Sequence, residues 1–262
     1  MFTYLPQLEE HRRKDTQSDS TEWLHIGKLI EFLRTHYAST SEKLKALLEH
    51  KEITFELLPV FFRPNSVVYM ISGDSGAPRC LRFDSGQGKT FNGKTCFELS
   101  CHCLTNDGKC FGEALVTVEI QKFQGVMKIS SLGVYPLEYH ADKQKVVERL
   151  TKRGQKFMSL SGTHYRKYEG QAFYKEKKEV RKFTVSGRVM IDAASFRENN
   201  PNYFFPSIDE RLLEDDDDSN SEDIPSGSDR VVTKGKAFCP PEELILCSET
   251  VYGFCFLTKR WG

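Results

Sequence analysis

Residues 95–120, TCFELSCHCLTNDGKCFGEALVTVEI, decide how this chain folds. Two alternating runs flank Asn106-Asp107-Gly108-Lys109, the pattern of a β-hairpin closed by a tight turn. In the first run Phe97, Leu99, Cys101 and Cys103 point one way and Glu98, Ser100 and His102 the other. The second sets Gly112, Ala114, Val116 and Val118 against Glu113, Thr117 and Glu119. With Asp107-Gly108 as a two-residue turn, Phe97 falls opposite Val118, Leu99 opposite Val116 and Cys101 opposite Ala114, so both apolar sets share a face. A three-residue loop would break that match, because a one-residue slip turns every side chain over. A hairpin alone is marginal in water, so the flanking chain must cover it.

Working outward, residues 67–72 and 79–84 read as strands joined by a turn over 73–78, and 54–62 is a short apolar segment ended by Pro64-Asn65. On the far side, Asp142 caps a helix to about Ser159 whose Val146, Val147, Leu150 and Phe157 form a buried stripe. Residues 164–175, 179–191 and 250–257 read as strands. Asp192 opens a brief helix stopped by Pro201, and Pro240-Pro241-Glu242-Glu243 opens a helical turn. Upstream, Trp23, Ile26, Ile30, Leu33 and Tyr37 recur at helical spacing, widened by Leu24 and Leu29. Ser39 with Glu42 has the form of a capping box for a second helix carrying Leu44, Leu47 and Leu48. That stripe lasts about two heptads against the three to four of a coiled coil, which favours packing against this domain over self-association.

The fold class that follows is α+β: a bent, mainly antiparallel sheet curling towards a barrel, crossed by the 142–159 helix, with N-terminal helices alongside. The expected organisation is a loose tail over 1–20, a helical segment over 21–62 and a β-rich core over 63–262. Residues 207–236 interrupt that core. They are rich in acid, serine and glycine around Glu214-Asp215-Asp216-Asp217-Asp218, too polar to offset the cost of ordering, and are expected to form a disordered insertion.

At 262 residues the chain can bury a real core, and 37 basic residues against 37 acidic ones name no partner. No apolar run follows a basic start, and no stretch approaches the roughly 18 apolar residues of a membrane span. The expectation is a soluble, intracellular protein, cytoplasmic or nuclear, without membrane contact. Its 8 cysteines then read as reduced thiols buried as small hydrophobes.

Gly86-Gln87-Gly88-Lys89-Thr90 matches the back half of a phosphate-binding loop. Phe83 stands where the leading glycine is needed, and turn residues leading into a strand follow in place of a helix N-terminus. A flexible strand connection is the better reading. Cys96, Cys101, Cys103 and Cys110 with His102 lack the two-to-four-residue spacing of structural zinc ligands offered by turns. His140 and His164 accompany no nucleophile or metal-hydrolase signature. No catalytic residue, metal or cofactor is therefore assigned, and the chain is expected not to be an enzyme.

The basic side is more informative. Residues 140–190 hold fourteen Lys or Arg against five acids, interleaved with Tyr165, Tyr168, Phe173 and Tyr174. Arg149, Lys152, Arg153, Lys156, Arg166 and Lys167 form the candidate partner-binding patch. Basic residues among aromatics suit phosphate backbones, but a protein partner or the chain's own acidic segment fits better than nucleic acid. Residues 209–223 carry nine acids against one Arg, so an intramolecular cover over the patch is one expectation, and a solvated loop is the other.

Several segments in order, Ile53-Thr54-Phe55-Glu56-Leu57-Leu58, Pro78-Arg79-Cys80-Leu81, Asp107-Gly108-Lys109-Cys110-Phe111-Gly112, Tyr135-Pro136-Leu137-Glu138-Tyr139-His140, Gly187-Arg188-Val189-Met190-Ile191-Asp192 and Leu246-Cys247-Ser248-Glu249-Thr250-Val251-Tyr252-Gly253-Phe254, are similar to a known arrangement. Over about residues 22–261 the series resembles the uncharacterised domain that precedes the ATPase module in a family of fungal AAA+ ATPases. In that family a Lys-x-x-Trp segment, here residues 259–261 with the intervening pair reduced to Arg260, leads towards the nucleotide-binding module. The present residues hold neither a complete Walker A nor a Walker B motif. The resemblance implies a non-catalytic recognition or regulatory domain that presents protein substrates or adaptors to a motor, whether as part of a longer ATPase, a truncated gene model or a stand-alone paralogue. The alternative is a stand-alone interaction or nucleic-acid-binding module using the basic 143–182 region.

Overall fold

The structure is a computed structural model that describes residues 4–14, 21–176, 179–203, 205, 208 and 239–262. The chain forms two compact units, each assembled from two segments: Met1–His102 with Val116–Val146, and Cys103–Leu115 with Val147–Gly262.

The first unit starts with helices α1 (Leu5–Lys14), α2 (Thr21–His36) and α3 (Ala38–Glu49). Helix α1 lies in the stretch expected to be a loose tail. Its partners are distant in sequence: the Arg12 guanidinium sits 4.2 Å over the Trp23 ring and Arg34 donates to Glu9 at 3.0 Å. Helix α3 begins two residues after α2 ends and its cap, Tyr37, makes no side-chain bond, so Ser39 and Glu42 lie inside the helix and form no capping box. Short strands β1 (Glu52–Thr54) and β6 (Val126–Lys128) pair with each other.

A five-stranded sheet runs β5-β4-β3-β2-β7, built from β2 (Val67–Ile71), β3 (Pro78–Phe91), β4 (Lys94–Asn106), β5 (Phe111–Gln121) and β7 (Val134–Pro136), and all of it but the segment Cys103–Leu115 belongs to the first unit. Strand β3 extends well past the expected end at Asp84. It is carried over a bulge between Phe83 and Ser85 and closes on β4 through Asn92 (φ 49°) and Gly93 (φ 76°). Both central residues lie in the left-handed region that a type I′ hairpin turn requires, which Asn-Gly adopts at least cost. Phe62, preceded by the short helix α4 (Leu58–Phe61), is buried against Phe83 at 5.4 Å and Phe97 at 6.1 Å between ring centroids.

The opening hairpin is β4–β5, and its apolar face is the one expected, with Phe97, Leu99, Cys101, Ala114 and Ile120 buried. Its register is displaced. Lys122 N donates to Thr95 O at 2.9 Å and Asp107 N to Cys110 O at 3.2 Å, so the turn is centred on Gly108-Lys109 and Phe97 faces Ile120, not Val118. A shift of two residues keeps every side chain on its face, which is why the burial pattern survives.

The second unit contains most of α5 (Lys143–Ser159), β8 (His164–Glu176), β9 (Glu179–Ile191), α6 (Ala193–Asn199), a 3₁₀ helix (Pro241–Leu246), β10 (Gly253–Cys255) and β11 (Arg260–Trp261). Its sheet runs β11-β10-β9-β8. The strand expected over 250–257 is reduced to β10, because Tyr252 turns inward to stack on Phe196 at 4.6 Å, beside Tyr203 and Trp261. Asp192 caps α6 by accepting from Ser195 N at 2.8 Å and also takes the Thr163 hydroxyl.

The class is therefore α+β with mainly antiparallel sheets, but the single sheet curling towards a barrel is corrected. Strand β8 pairs with β9 and β9 with β10, making a sheet of their own, and no barrel closes among the described residues. The acidic insertion expected over 207–236 lies outside the described residues apart from Ile208, which bridges Ala114. No described helix is long and apolar enough to cross a membrane.

Candidate functional site

The residues that imitate a phosphate-binding loop belong to the β3–β4 ladder, which corrects the expected flexible connection. Gly86 stands opposite Leu99, and a Cβ there would lie 2.5 Å from the Phe97 ring, so this glycine seats a core phenylalanine. The Lys89 ammonium is 2.6 Å from Glu98, whose carboxyl it holds below the usual range with help from Gln87. Lys89→Ala removes one half-exposed ion pair and is expected to leave the unfolding midpoint close to that of the parent. Calorimetric titration with ATP should be flat for parent and variant alike. Saturable binding lost in the variant would overturn this reading.

The cysteines divide between environments. Cys101 and Cys103 are buried on β4, while Cys96 lies on the other face. Cys247 is buried in the second unit, and burial, followed by its neighbour Cys239, pushes its thiol up to about 12, so it stays protonated at neutral pH. Among the described residues no three Cys, His or carboxylate side chains converge as metal ligands. His140 is structural: its Nδ1 accepts from Asp142 N at 3.0 Å and its ring meets Tyr69 edge-on at 4.5 Å. A small cavity in the second unit, edged by Phe111, Phe157, Ile191 and Tyr252, holds only about 30 Å³, far below the 300–1,000 Å³ typical of ligand pockets.

The candidate basic patch does not assemble as one surface. Arg149, Lys152 and Lys156 share an exposed face of α5, where Lys152 also pairs with Glu148 at 2.8 Å. Arg153 leaves that face. It is half-buried and donates to Cys247 O at 3.3 Å, beside Gly154, whose missing Cβ admits the Leu244 carbonyl. Arg166 and Lys167 are consecutive residues of β8 and so point to opposite faces of the sheet.

A surface that composition did not single out lies on the β8–β10 sheet. Tyr165 (65% exposed) stacks on Phe256 at 6.2 Å, Arg188 reaches over Phe256 at 6.0 Å, and Leu257 beyond them is 71% exposed. The sequence signal was the alternation of aromatic with basic residues in β8. Phe256 could be added only by knowing that β10 pairs with β9.

Residues 43–141 match a domain of unknown function, DUF7025. No curated protein and no solved structure matches the chain. The matched stretch begins within α3, ends just before α5 and includes the β4–β5 hairpin.

Proposed function

We propose that this chain is a non-catalytic recognition domain that holds a protein substrate or adaptor on behalf of a AAA+-type ATPase motor. The observation that carries the reading is the open face of the β8–β10 sheet. There, Tyr165 and Phe256 expose aromatic surface beside Lys167 and Arg188, and Leu257, in the turn that follows β10, is exposed as well. Exposed aromatics next to arginine are the residue types that anchor protein interfaces, whereas isolated surface leucines need no explanation. The link to a motor rests on the ordered resemblance to the domain in front of fungal AAA+ modules; the match of residues 43–141 supports only that an uncharacterised domain is present.

Two measurements test it. Cross-linking in the native cell, followed by identification of protein and RNA partners, should recover proteins, and the Tyr165→Ala, Leu257→Ala double variant should weaken capture. An anchor of this kind contributes ~2 kcal/mol, roughly thirtyfold. Unchanged capture would overturn the role of the face. Sequencing the transcript across codon 262 should reveal an in-frame nucleotide-binding module, and an immediate stop would overturn the link to an ATPase.

The second reading, a stand-alone nucleic-acid-binding module, is favoured by one observation: Arg149, Lys152 and Lys156 line up on the exposed face of α5. Its signature would be RNA as the main cross-linked partner, with an affinity that falls steeply with salt.

A further inference from the structure

Resting on that recognition reading, we propose that the free edge of β8 takes an extended acidic segment of a partner protein as an added strand, gripped from both faces by Arg166 and Lys167. Which backbone groups are free follows from parity. Arg188 O accepts from Phe256 N at 3.2 Å, and Asp192, in the same even-numbered series, donates to Tyr252 O at 3.1 Å, so the even residues of β9 turn towards β10. In an antiparallel strand the N–H and C=O of one residue point the same way, and the direction alternates along the chain. The odd residues of β9 therefore face β8, where Val189 stands opposite Arg166, Gly187 opposite Tyr168 and Val185 opposite Gly170. This leaves Tyr165, Lys167, Glu169, Gln171 and Phe173 with backbone groups aimed away from β9, where Gly262 packs against the Phe173 carbonyl, and β8 is the last strand of its sheet.

Two outward carbonyls are covered by side chains of the same strand: Tyr165 O accepts from Arg166 Nη1 at 2.9 Å and Gln171 O from the Tyr168 hydroxyl at 2.8 Å. Between them, the backbone groups of Lys167 and Glu169 meet no backbone partner among the described residues. A stretch of open ladder with covered ends is the geometry in which a peptide adds as a strand.

Charge decides the occupant. Arg166 and Lys167 lie on opposite faces and cannot form a patch on either; Arg166 already reaches the edge at the Tyr165 carbonyl, Lys167 is exposed on the other face, and an added strand would run about 4.8 Å away. One cation on each face favours acids at adjacent positions of the incoming strand. The same two charges oppose pairing of β8 with a second copy of itself, because charged edge residues repel like strands. Glu169, on the face of Lys167, disfavours a continuous phosphate chain.

The test is fluorescence anisotropy of the full chain with a labelled peptide of repeated Val-Glu-Glu-Thr. Binding is expected, and it should be lost in the Arg166→Glu, Lys167→Glu double variant, with circular dichroism unchanged. N-methylating alternate peptide amides of the parity that faces β8 should weaken binding by about tenfold, that is ~1.4 kcal/mol, while methylating the other set leaves it intact. Equal losses for the two methylated peptides would overturn the proposal, as would displacement of the peptide by single-stranded RNA. The chain's own run Glu214-Asp215-Asp216-Asp217-Asp218 offers the same chemistry, so tighter peptide binding after deletion of residues 209–229 would also overturn a partner protein as the occupant. If cross-linking still recovers protein partners while the peptide shows no dependence on methylation parity, the edge is refuted and the recognition reading stands.

Discussion

Replacing Asp107 with alanine is expected to destabilise the second unit by about 3–4 kcal/mol, read from urea unfolding at neutral pH. The carboxylate sits at the tip of the β4–β5 hairpin, only 8% exposed. Its Oδ1 accepts from Lys109 N at 2.8 Å and Cys110 N at 2.9 Å, while Oδ2 pairs with the Arg197 guanidinium, which also donates to Asp107 O at 3.0 Å. Removing it uncaps the turn and leaves Arg197 without its counter-ion. Arg197 keeps one-third of its side chain in water, which holds the cost near the lower end of that for breaking a buried pair. Burial raises the Asp107 pKa, but the two turn amides and then Arg197 outweigh it, so the net shift is downward. The sign follows from linkage: a group whose folded pKa is depressed stabilises above its unfolded value of about 3.9, and that contribution is lost as pH falls through the folded value. The gap between parent and Asp107→Ala should therefore be widest at neutral pH and narrow below about pH 4. A gap that stays constant from neutral to acid would show that the ion pair contributes nothing.

Phe62→Ala should cost about 3–5 kcal/mol in the first unit. Phe62 is 1% exposed and its ring meets Phe61 at 5.1 Å, Phe83 at 5.4 Å and Phe97 at 6.1 Å. Those neighbours are held by the ladder, with Phe97 opposite Gly88 and Phe83 opposite Cys101, so the cavity cannot readily collapse. Phe62→Leu should recover much of the loss, since it restores most of the apolar volume. A midpoint for Phe62→Ala within error of the parent would mean that this aromatic cluster is not the core it resembles.

Alternation made the hairpin face legible, because which side a residue points to depends only on its immediate neighbours. Register was not legible, for a reason also local but weaker: Asp107-Gly108 has the form of a two-residue turn, yet the Asp107 carboxylate caps the amides of Lys109 and Cys110, and Gly108 N donates to the Asn106 side-chain oxygen. The second half of β3 is hard to see in the sequence because Gly86 and Gly88 weaken any strand signal, although Asn92-Gly93 carries the hairpin's turn. The candidate patch failed as a unit for a different reason. Composition counts charges, but only tertiary structure can assign Arg153 to a carbonyl at Cys247 and set Arg166 and Lys167 on opposite faces.

The interleaving of the two units constrains how the chain can be made. Neither is a continuous stretch: the first is completed only when residues up to Val146 have been synthesised, and the hairpin tip Cys103–Leu115 belongs with residues 147–262. On the ribosome, domains generally fold from the N-terminus as they emerge. Here the buried Cys103, Leu104 and Ala114 must wait for sequence far downstream, including Cys247, which bridges Leu104. A cut after Val146 keeps all residues of the first unit on one fragment but strips the second of its segment Cys103–Leu115, so limited proteolysis should yield no stable fragment of the second unit, and nascent chains stalled before residue 240 should be avid clients for chaperones.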